Sequence, residues 1–300
     1  MMTHPFLSEI TTRLTSISDT PDLDASVLIA HIINKPRTWV MAHPELTLTP
    51  AQQNQLNESL MRLENGEPFP YVLGHWEFFG LDYDVTPEVL IPRPETELLV
   101  EKAIAWLQET KVRSPSSPLR VADIGTGSGA IAVSLAVNVP DADILATDIS
   151  SKALQVAIQN AIKHGVANRI EFIECDLLPA QSEFQNRQSQ IVNRKSSIDL
   201  LCANLPYIPT ETLSQLSVFG REPTVALDGG EDGLDLVRRL LNIAPDWLAP
   251  NGLILLEIES TRGLQALNLA CEMFSNAEIS LHQDLAGNDR MLKVEFPDLG

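Results

Sequence analysis

The stretch VADIGTGSGAIAVSLAVNVPDADILATD, Val121 to Asp148, decides the fold. An apolar run ends at Ile124, Gly125, Gly127 and Gly129 break it, an apolar segment of helical length follows from Ala130, and a second apolar run closes on Asp148. Strand, glycine turn, helix and strand in that order predict a right-handed βαβ crossover, and with it a parallel sheet.

The alternation continues outward from this unit. Before it, TELLVEKAIAWLQE reads as a helix; after it come the helix SKALQVAIQNAIKHG and the strands RIEFIE and IDLLCAN. Further on stand the helix GLDLVRRLLNIAPDWL, the strand LILLEI, the helix TRGLQALNLACEMF, and the strands AEISLH and RMLKVEF. Strands separated by helices predict a doubly wound sheet of Rossmann type with seven strands. The closing pair has no helix between its members, so the last strand must run antiparallel.

Upstream the pattern changes. PFLSEITTRLTSI, LDASVLIAHIIN and TPAQQNQLNESLMRLENG space their apolar residues three and four apart, which predicts a small all-helical domain over 1–74. Thr49 and Pro50 have the form of an N-cap followed by proline at the first helical position. HWEFFGLDYDVTPEVLIP switches to aromatic and β-branched residues and predicts a β-hairpin linker over 75–92, leaving 93–300 for the α/β domain. The polar segment from Leu178 to Ser197 lacks periodicity and reads as a surface excursion.

Composition narrows the class. Against 21 Lys and Arg stand 40 Asp and Glu, a formal net charge of -19, which opposes non-specific binding to phosphate backbones. No basic region precedes an apolar run at the N-terminus, and no segment reaches membrane-spanning length. Cys175, Cys202 and Cys271 are widely spaced and odd in number, which fits reduced thiols in a cytoplasm, each most simply a small core residue. The six histidines show no ligand spacing, so no metal is expected.

In an open α/β sheet the ligand lies beyond the carboxyl ends of the strands. Gly125, Thr126, Gly127, Ser128 and Gly129 form the turn there, and glycines let a ligand approach the backbone. Asp148, closing the next strand, stands where an acid receives ribose hydroxyls. With Ala130 the glycines also satisfy the dinucleotide fingerprint, so an NAD oxidoreductase enters the comparison. Asp123 decides against a pyrophosphate, which it would repel, and in favour of the ammonium of S-adenosylmethionine, which it would attract. Asp176 and Leu177, ending the third strand, are the remaining cofactor-facing candidates, a loop cap being the alternative for Asp176.

The second feature is NLPY, Asn204, Leu205, Pro206 and Tyr207, at the end of IDLLCAN and on the same rim as the glycine turn. Asn204 offers a neutral acceptor oxygen where a strand stops. A strand-ending turn is the alternative reading for Asn204, and core packing the alternative for Tyr207.

The chain resembles the HemK-type release factor glutamine N5-methyltransferases over nearly its whole length. The resemblance rests on GEPFPYVLGHWEFFGLDYDVTPEVLIPRPETELLVE, DIGTGSGAIA, NLPYI, EPTVALDGGEDGLD and QDLAGNDRMLKVE. It implies a class I methyltransferase domain, S-adenosyl-L-methionine as cofactor, and methylation of a release factor protein in translation termination, at the glutamine of a Gly-Gly-Gln tip. It also implies that Asn204 and the following main-chain carbonyl accept from the substrate amide, with Tyr207 alongside, that Asn204 and Asp176 border the cofactor, and that the helical domain docks the substrate. Arg93, Glu95 and Glu97 of PRPETE would shape the substrate mouth, and DGGEDG, on its own a hairpin turn, would border the pocket.

Two departures stand out. Leu205 replaces the first proline of the family's Asn-Pro-Pro-Tyr; because it precedes Pro206 its backbone still favours extended angles, while one NH is gained. In EIES, Glu259 and Ser260 stand where the family has glycine. An adenine N6-methyltransferase of DNA or RNA shares similar motifs, but the acidity and the lack of a basic recognition region oppose it. A non-catalytic S-adenosylmethionine-binding protein is the alternative that Leu205 raises. A monomer without membrane or nucleic-acid partners is expected.

Overall fold

The computed structural model describes residues 5–113, 119–179 and 198–297. The chain divides into two compact units, Met1–His75 and Trp76–Gly300. No helix of the described residues is long and apolar enough to cross a membrane.

The first unit is helical: α1 (Pro5–Leu14), α2 (Pro21–Ile33), α3 (Arg37–Ala42), α4 (Pro50–Glu64) and α5 (Phe69–Leu73). α2 is the central element, burying Ala25, Leu28, Ile29 and Ile32 and packing on α1 and α4. Thr49 does cap α4: its hydroxyl accepts from Gln52 N at 3.3 Å while the Gln52 side chain accepts from Thr49 N at 2.9 Å. This reciprocal capping box satisfies two otherwise free helix-end donors.

A hairpin begins at the boundary, β1 (His75–Phe78) and β2 (Leu81–Asp84), turned on Phe79 and Gly80 at φ 51 and 72. Both turn residues lie in the left-handed region, as a two-residue hairpin turn demands. Side chains fasten β2 to the second unit. The Tyr83 hydroxyl bonds Ser134 at 2.7 Å and Ala130 O at 3.1 Å, and the Asn160 carboxamide bonds both backbone groups of Asp84 and Ser128 O.

The sheet follows from α6 (Thr96–Arg113), β3 (Leu119–Ile124), α7 (Ala130–Asn138), β4 (Ala142–Asp148), α8 (Ser151–Lys163), β5 (Ile170–Glu174), β6 (Ile198–Ala203), α9 (Thr210–Leu213), α10 (Asp235–Ile243), β7 (Leu248–Glu257), α11 (Gly263–Met273), β8 (Glu278–Gln283) and β9 (Asp289–Glu295). Seven strands stand in the order β5-β4-β3-β6-β7-β9-β8. β9 is antiparallel to both neighbours, as the missing helix required. The order reverses between β3 and β6, whose register pairs Ile124 with Ala203. That neighbouring pair is the topological switch point where such sheets bind ligands.

Two expectations need correction. β7 begins five residues earlier than LILLEI: Ile198 pairs with Leu248 and Leu200 with Leu253, so the intervening residues bulge, with Asn251 at φ 63. Proline, asparagine and glycine there hid the strand's start without ending it. Cys271 is exposed and Cys175 half-buried, so of the three thiols Cys202 alone is a core residue. Residues 180–197 of the polar excursion lie outside the described residues.

Candidate active site

β3 and β6 end side by side, so the turn after one and the loop after the other share a cavity of about 640 Å³. That is the size of a small-molecule site. Gly125, Thr126, Gly127 and Ser128 line it, as do Asp148, Asp176, Leu177, Asn204, Leu205 and Pro206.

The turn is held from two sides. Gly125 N and Thr126 N donate to Thr147 O at 2.9 and 2.8 Å. Asp148 Oδ2 accepts from Gly127 N and Oδ1 from Ser150 N, each at 2.8 Å. Gly125 and Gly127 have φ of 72 and 56, which explains glycine at both. A β-carbon on Gly127 would meet nothing within 4 Å, so the open side of the turn faces space for a ligand. Gly129 differs: its β-carbon would lie 3.1 Å from Ala157 Cβ, so this glycine allows α7 to approach α8 and does not line the cavity.

Asp123 also departs from expectation. It is wholly buried and absent from the lining; its Oδ2 accepts from Thr126 Oγ1 at 2.6 Å and from Ala132 N at 3.0 Å, tying the turn to the first turn of α7. Its Oδ1 is buried without a partner among the described residues. Burial pushes the carboxyl up to about 7, against the opposing effect of those two hydrogen bonds. Burial also raises Asp148, although backbone NH groups of Ser150 and Gly127 oppose it.

These groups fit an adenosine carrying a cationic side chain better than a pyrophosphate. The NH of Gly127 that a phosphate would need is already taken by the Asp148 carboxylate, and Asp123 lies just beneath. On the far wall, Asp176 pairs with Arg239 of α10 at 2.6 Å across a half-exposed gap. Leu177, at φ 63, accepts from Thr147 Oγ1 at 2.7 Å, which fixes the 175–177 loop to β4.

In the loop after β6, Asn204 Nδ2 donates to Thr96 Oγ1 at 3.0 Å, and Thr96 Oγ1 donates to Glu257 Oε2 at 2.6 Å. A carboxylate oxygen accepts, so the chain runs one way and leaves Asn204 Oδ1 as an acceptor without a partner among the described residues. Leu205 is buried, and its Cδ2 lies 3.3 Å from where a β-carbon on Gly125 would stand. The leucine thus spends its extra bulk as a lid on the glycine turn. Tyr207 is half-buried and does not line the cavity; burial raises its hydroxyl to about 12.

DGGEDG is not a hairpin. Ile208 N donates to Leu227 O at 3.0 Å and Gly229 N to Ile208 O at 2.8 Å, with a parallel bridge between Ile208 and Asp228. The segment is therefore a strap along the motif loop, and Asp228, Gly229 and Gly230 line the cavity. β-Carbons on Gly229 and Gly233 would strike the Tyr207 backbone, that on Gly229 at 2.7 Å; Gly233 also has a φ of 78, whereas for Gly229 the close approach is the reason for glycine. Arg93 joins the strap's lead-in: it pairs with the buried Glu222 at 2.5 Å, whose other oxygen accepts from Ile91 N. Glu97, in the first turn of α6, accepts from Phe79 N, and Glu95 is exposed. Sequence reasoning passed over Thr96, Glu222 and Glu257 as site residues, although PRPETE, EPTVALDGGEDGLD and EIES contained them.

A glycine turn with a distal acid, beside an Asn-Xaa-Pro-Tyr loop at the switch point of such a sheet, defines a methyltransferase. Residues 115–278 match the family described as methyltransferase domain, and residues 6–74 the PrmC N-terminal domain. The chain is 41% identical to a release factor glutamine methyltransferase of Moorella thermoacetica, over 90% of this chain and 89% of that one. It is 36% identical to the protein of the same name from Coxiella burnetii, over 94% and 95%. The crystal structure of the hMettl16 catalytic domain in complex with the MAT2A 3'UTR hairpin 6 shares the fold, with a TM-score of 0.53 at 14% identity over 85% of this chain and 84% of that one. The chain belongs to the release factor glutamine methyltransferase family.

Proposed function

We propose that the chain transfers a methyl group from S-adenosyl-L-methionine to the side-chain N5 of a glutamine, that of the Gly-Gly-Gln motif in peptide chain release factors. The observation that carries this reading is the orientation of Asn204: with Nδ2 committed to Thr96, Oδ1 is left to accept from an incoming NH2 beside the cofactor-sized space.

Gly125 to Ser128, Asp148, Asp176 and Leu177 would hold the cofactor, which when bound supplies an electrophilic methyl on a cationic sulfur. The work left to this chain's residues is orientation. An amide nitrogen is a weak nucleophile because its lone pair is delocalised into the carbonyl. Asn204 Oδ1 and the Leu205 carbonyl, accepting one hydrogen each, would turn that lone pair towards the methyl and favour the positive charge that grows on nitrogen. On taking the methyl, with the sulfur leaving as a neutral thioether, the amide nitrogen would become cationic between these two acceptors and would then release a proton to water. An acid or ester in place of the amide would leave these acceptors unmatched, at a cost of about 1–3 kcal/mol.

A protein substrate accords with an acidic chain, and the helical unit is its docking surface in this reading. In this reading the chain acts in the cytoplasm, where translation factors work, and as a monomer. The test is to incubate the chain with methyl-labelled cofactor and purified release factor and to map the label by peptide mass spectrometry. One methyl on the Gly-Gly-Gln glutamine is expected; cofactor binding without label on any glutamine would overturn the reading.

A further inference from the structure

We propose that Thr96 and Glu257 are positioning residues for the transfer, holding the Asn204 carboxamide in the one of its two orientations that presents an acceptor to the substrate. This rests on the glutamine-transfer reading above. A carboxamide rotated by half a turn keeps its shape but exchanges acceptor for donor. In the reversed orientation Nδ2 would face the substrate NH2, donor against donor, and the arrangement that activates the nitrogen would be lost. Something must therefore select the orientation, and packing alone does not distinguish O from NH2.

The selection is electrostatic and comes from three separate elements. Glu257 closes β7, Thr96 begins α6 and Asn204 follows β6; the links measure 2.6 and 3.0 Å. Glu257 and Thr96 are each 4% exposed, so water does not replace either link. With Glu257 ionised, the single Thr96 proton goes to the carboxylate, the Thr96 lone pairs face Asn204, and only Nδ2 satisfies them. With Glu257 protonated, the acid can donate to Thr96, freeing the Thr96 proton to seek Asn204 Oδ1. The orientation then reverses, and the substrate meets a donor.

Burial raises the Glu257 carboxyl to about 7, although the Thr96 hydrogen bond holds it down. The charged and titratable groups facing it are Glu95 and Arg93 before α6, Arg290 on β9, and Tyr207 after β6. Glu95 works against ionisation while Arg290 and Arg93 favour it. The orienting charge is thus fully present above neutrality and fades as pH falls through about 7.

Turnover on release factor, KM, cofactor affinity by calorimetry and melting temperature are measured for the full chain and three variants. Thr96→Val is expected to lower kcat by about 10- to 100-fold, the worth of one hydrogen bond to a developing charge, with cofactor affinity unchanged. Thr96→Ser keeps the hydroxyl and recovers most of the rate. Glu257→Gln lowers kcat and abolishes the acid limb of the wild-type pH profile between pH 8 and 6, because glutamine has no proton to gain there; this arm remains decisive if the valine variant fails to fold. Wild-type kcat in Thr96→Val, or an unchanged acid limb in Glu257→Gln, overturns the proposal. No glutamine methylation by the unaltered chain would instead overturn the reading beneath it.

Discussion

Gly229→Ala isolates the strap from everything else in the site. Gly229 does not have a positive φ, so alanine is admissible to its backbone, and any effect must come from the added methyl. That carbon would lie 2.7 Å from Tyr207 Cα and 2.8 Å from both Pro206 O and Tyr207 C, all backbone atoms without a rotamer to escape into. Restoring an ordinary contact of 3.4 Å requires the motif loop to retreat by about 0.7 Å. The strap cannot yield instead without loss, being bonded to the loop through Ile208 N, Ile208 O and Thr210 N at 2.8 to 3.0 Å. A displacement approaching 1 Å at a positioning group costs about 100-fold in rate, and overpacking costs about 1–3 kcal/mol of stability. Steady-state methylation of release factor, with cofactor affinity and melting measured alongside, reads all three quantities. Gly287→Ala is the control: it has a φ of 82 and open space around it, so it should lose stability through backbone strain while keeping its kcat. Wild-type kcat in Gly229→Ala would refute the idea that the strap sets the loop's position.

The remaining predictions concern the cofactor, the leucine and pH. Asp148→Ala removes the acceptor of Gly127 N and Ser150 N and should weaken cofactor binding measured by calorimetry, by about 10-fold or more, before it affects turnover at saturation. Leu205→Pro should keep or raise the rate, since its neighbour Pro206 already imposes extended angles; a large loss would mean that the packing of Leu205 over Gly125 is indispensable. Asp123 and Glu257, both raised to about 7, bind protons more tightly folded than unfolded, so the folded state is favoured below the ordinary carboxylate range and loses stability as pH rises to about 7. Each contributes a slope of up to about 1.4 kcal/mol per pH unit in that window, and melting between pH 5 and 8 should show a smaller slope in Asp123→Asn.

The sheet was legible because its strands, the start of β7 apart, are short contiguous apolar runs, most of them separated by segments of helical length. The two halves of the site were legible for a similar reason: a glycine turn and NLPY are local motifs, and sheet logic alone brings their strand ends together. What escaped was long-range. Thr96 lies 108 residues from Asn204 and 161 from Glu257, so nothing local marks it as the link between them. DGGEDG carries turn chemistry, yet Gly229 and Gly233 serve close contact with the Tyr207 backbone, which only the folded chain brings near. Asp123 was read for its charge, whereas burial turns it inward to hold Thr126 and Ala132. Gly129 was assigned to the ligand with its neighbours because spacing does not tell a glycine that opens towards a cavity from one that admits a helix.

The central claim is that Asn204 receives the target amide, and the variant Asn204→Ala tests it most directly. With release factor and cofactor both saturating, kcat should fall by about 100-fold or more, while calorimetric cofactor affinity stays within a few-fold of the unaltered chain. Turnover close to that of the unaltered chain would contradict the account.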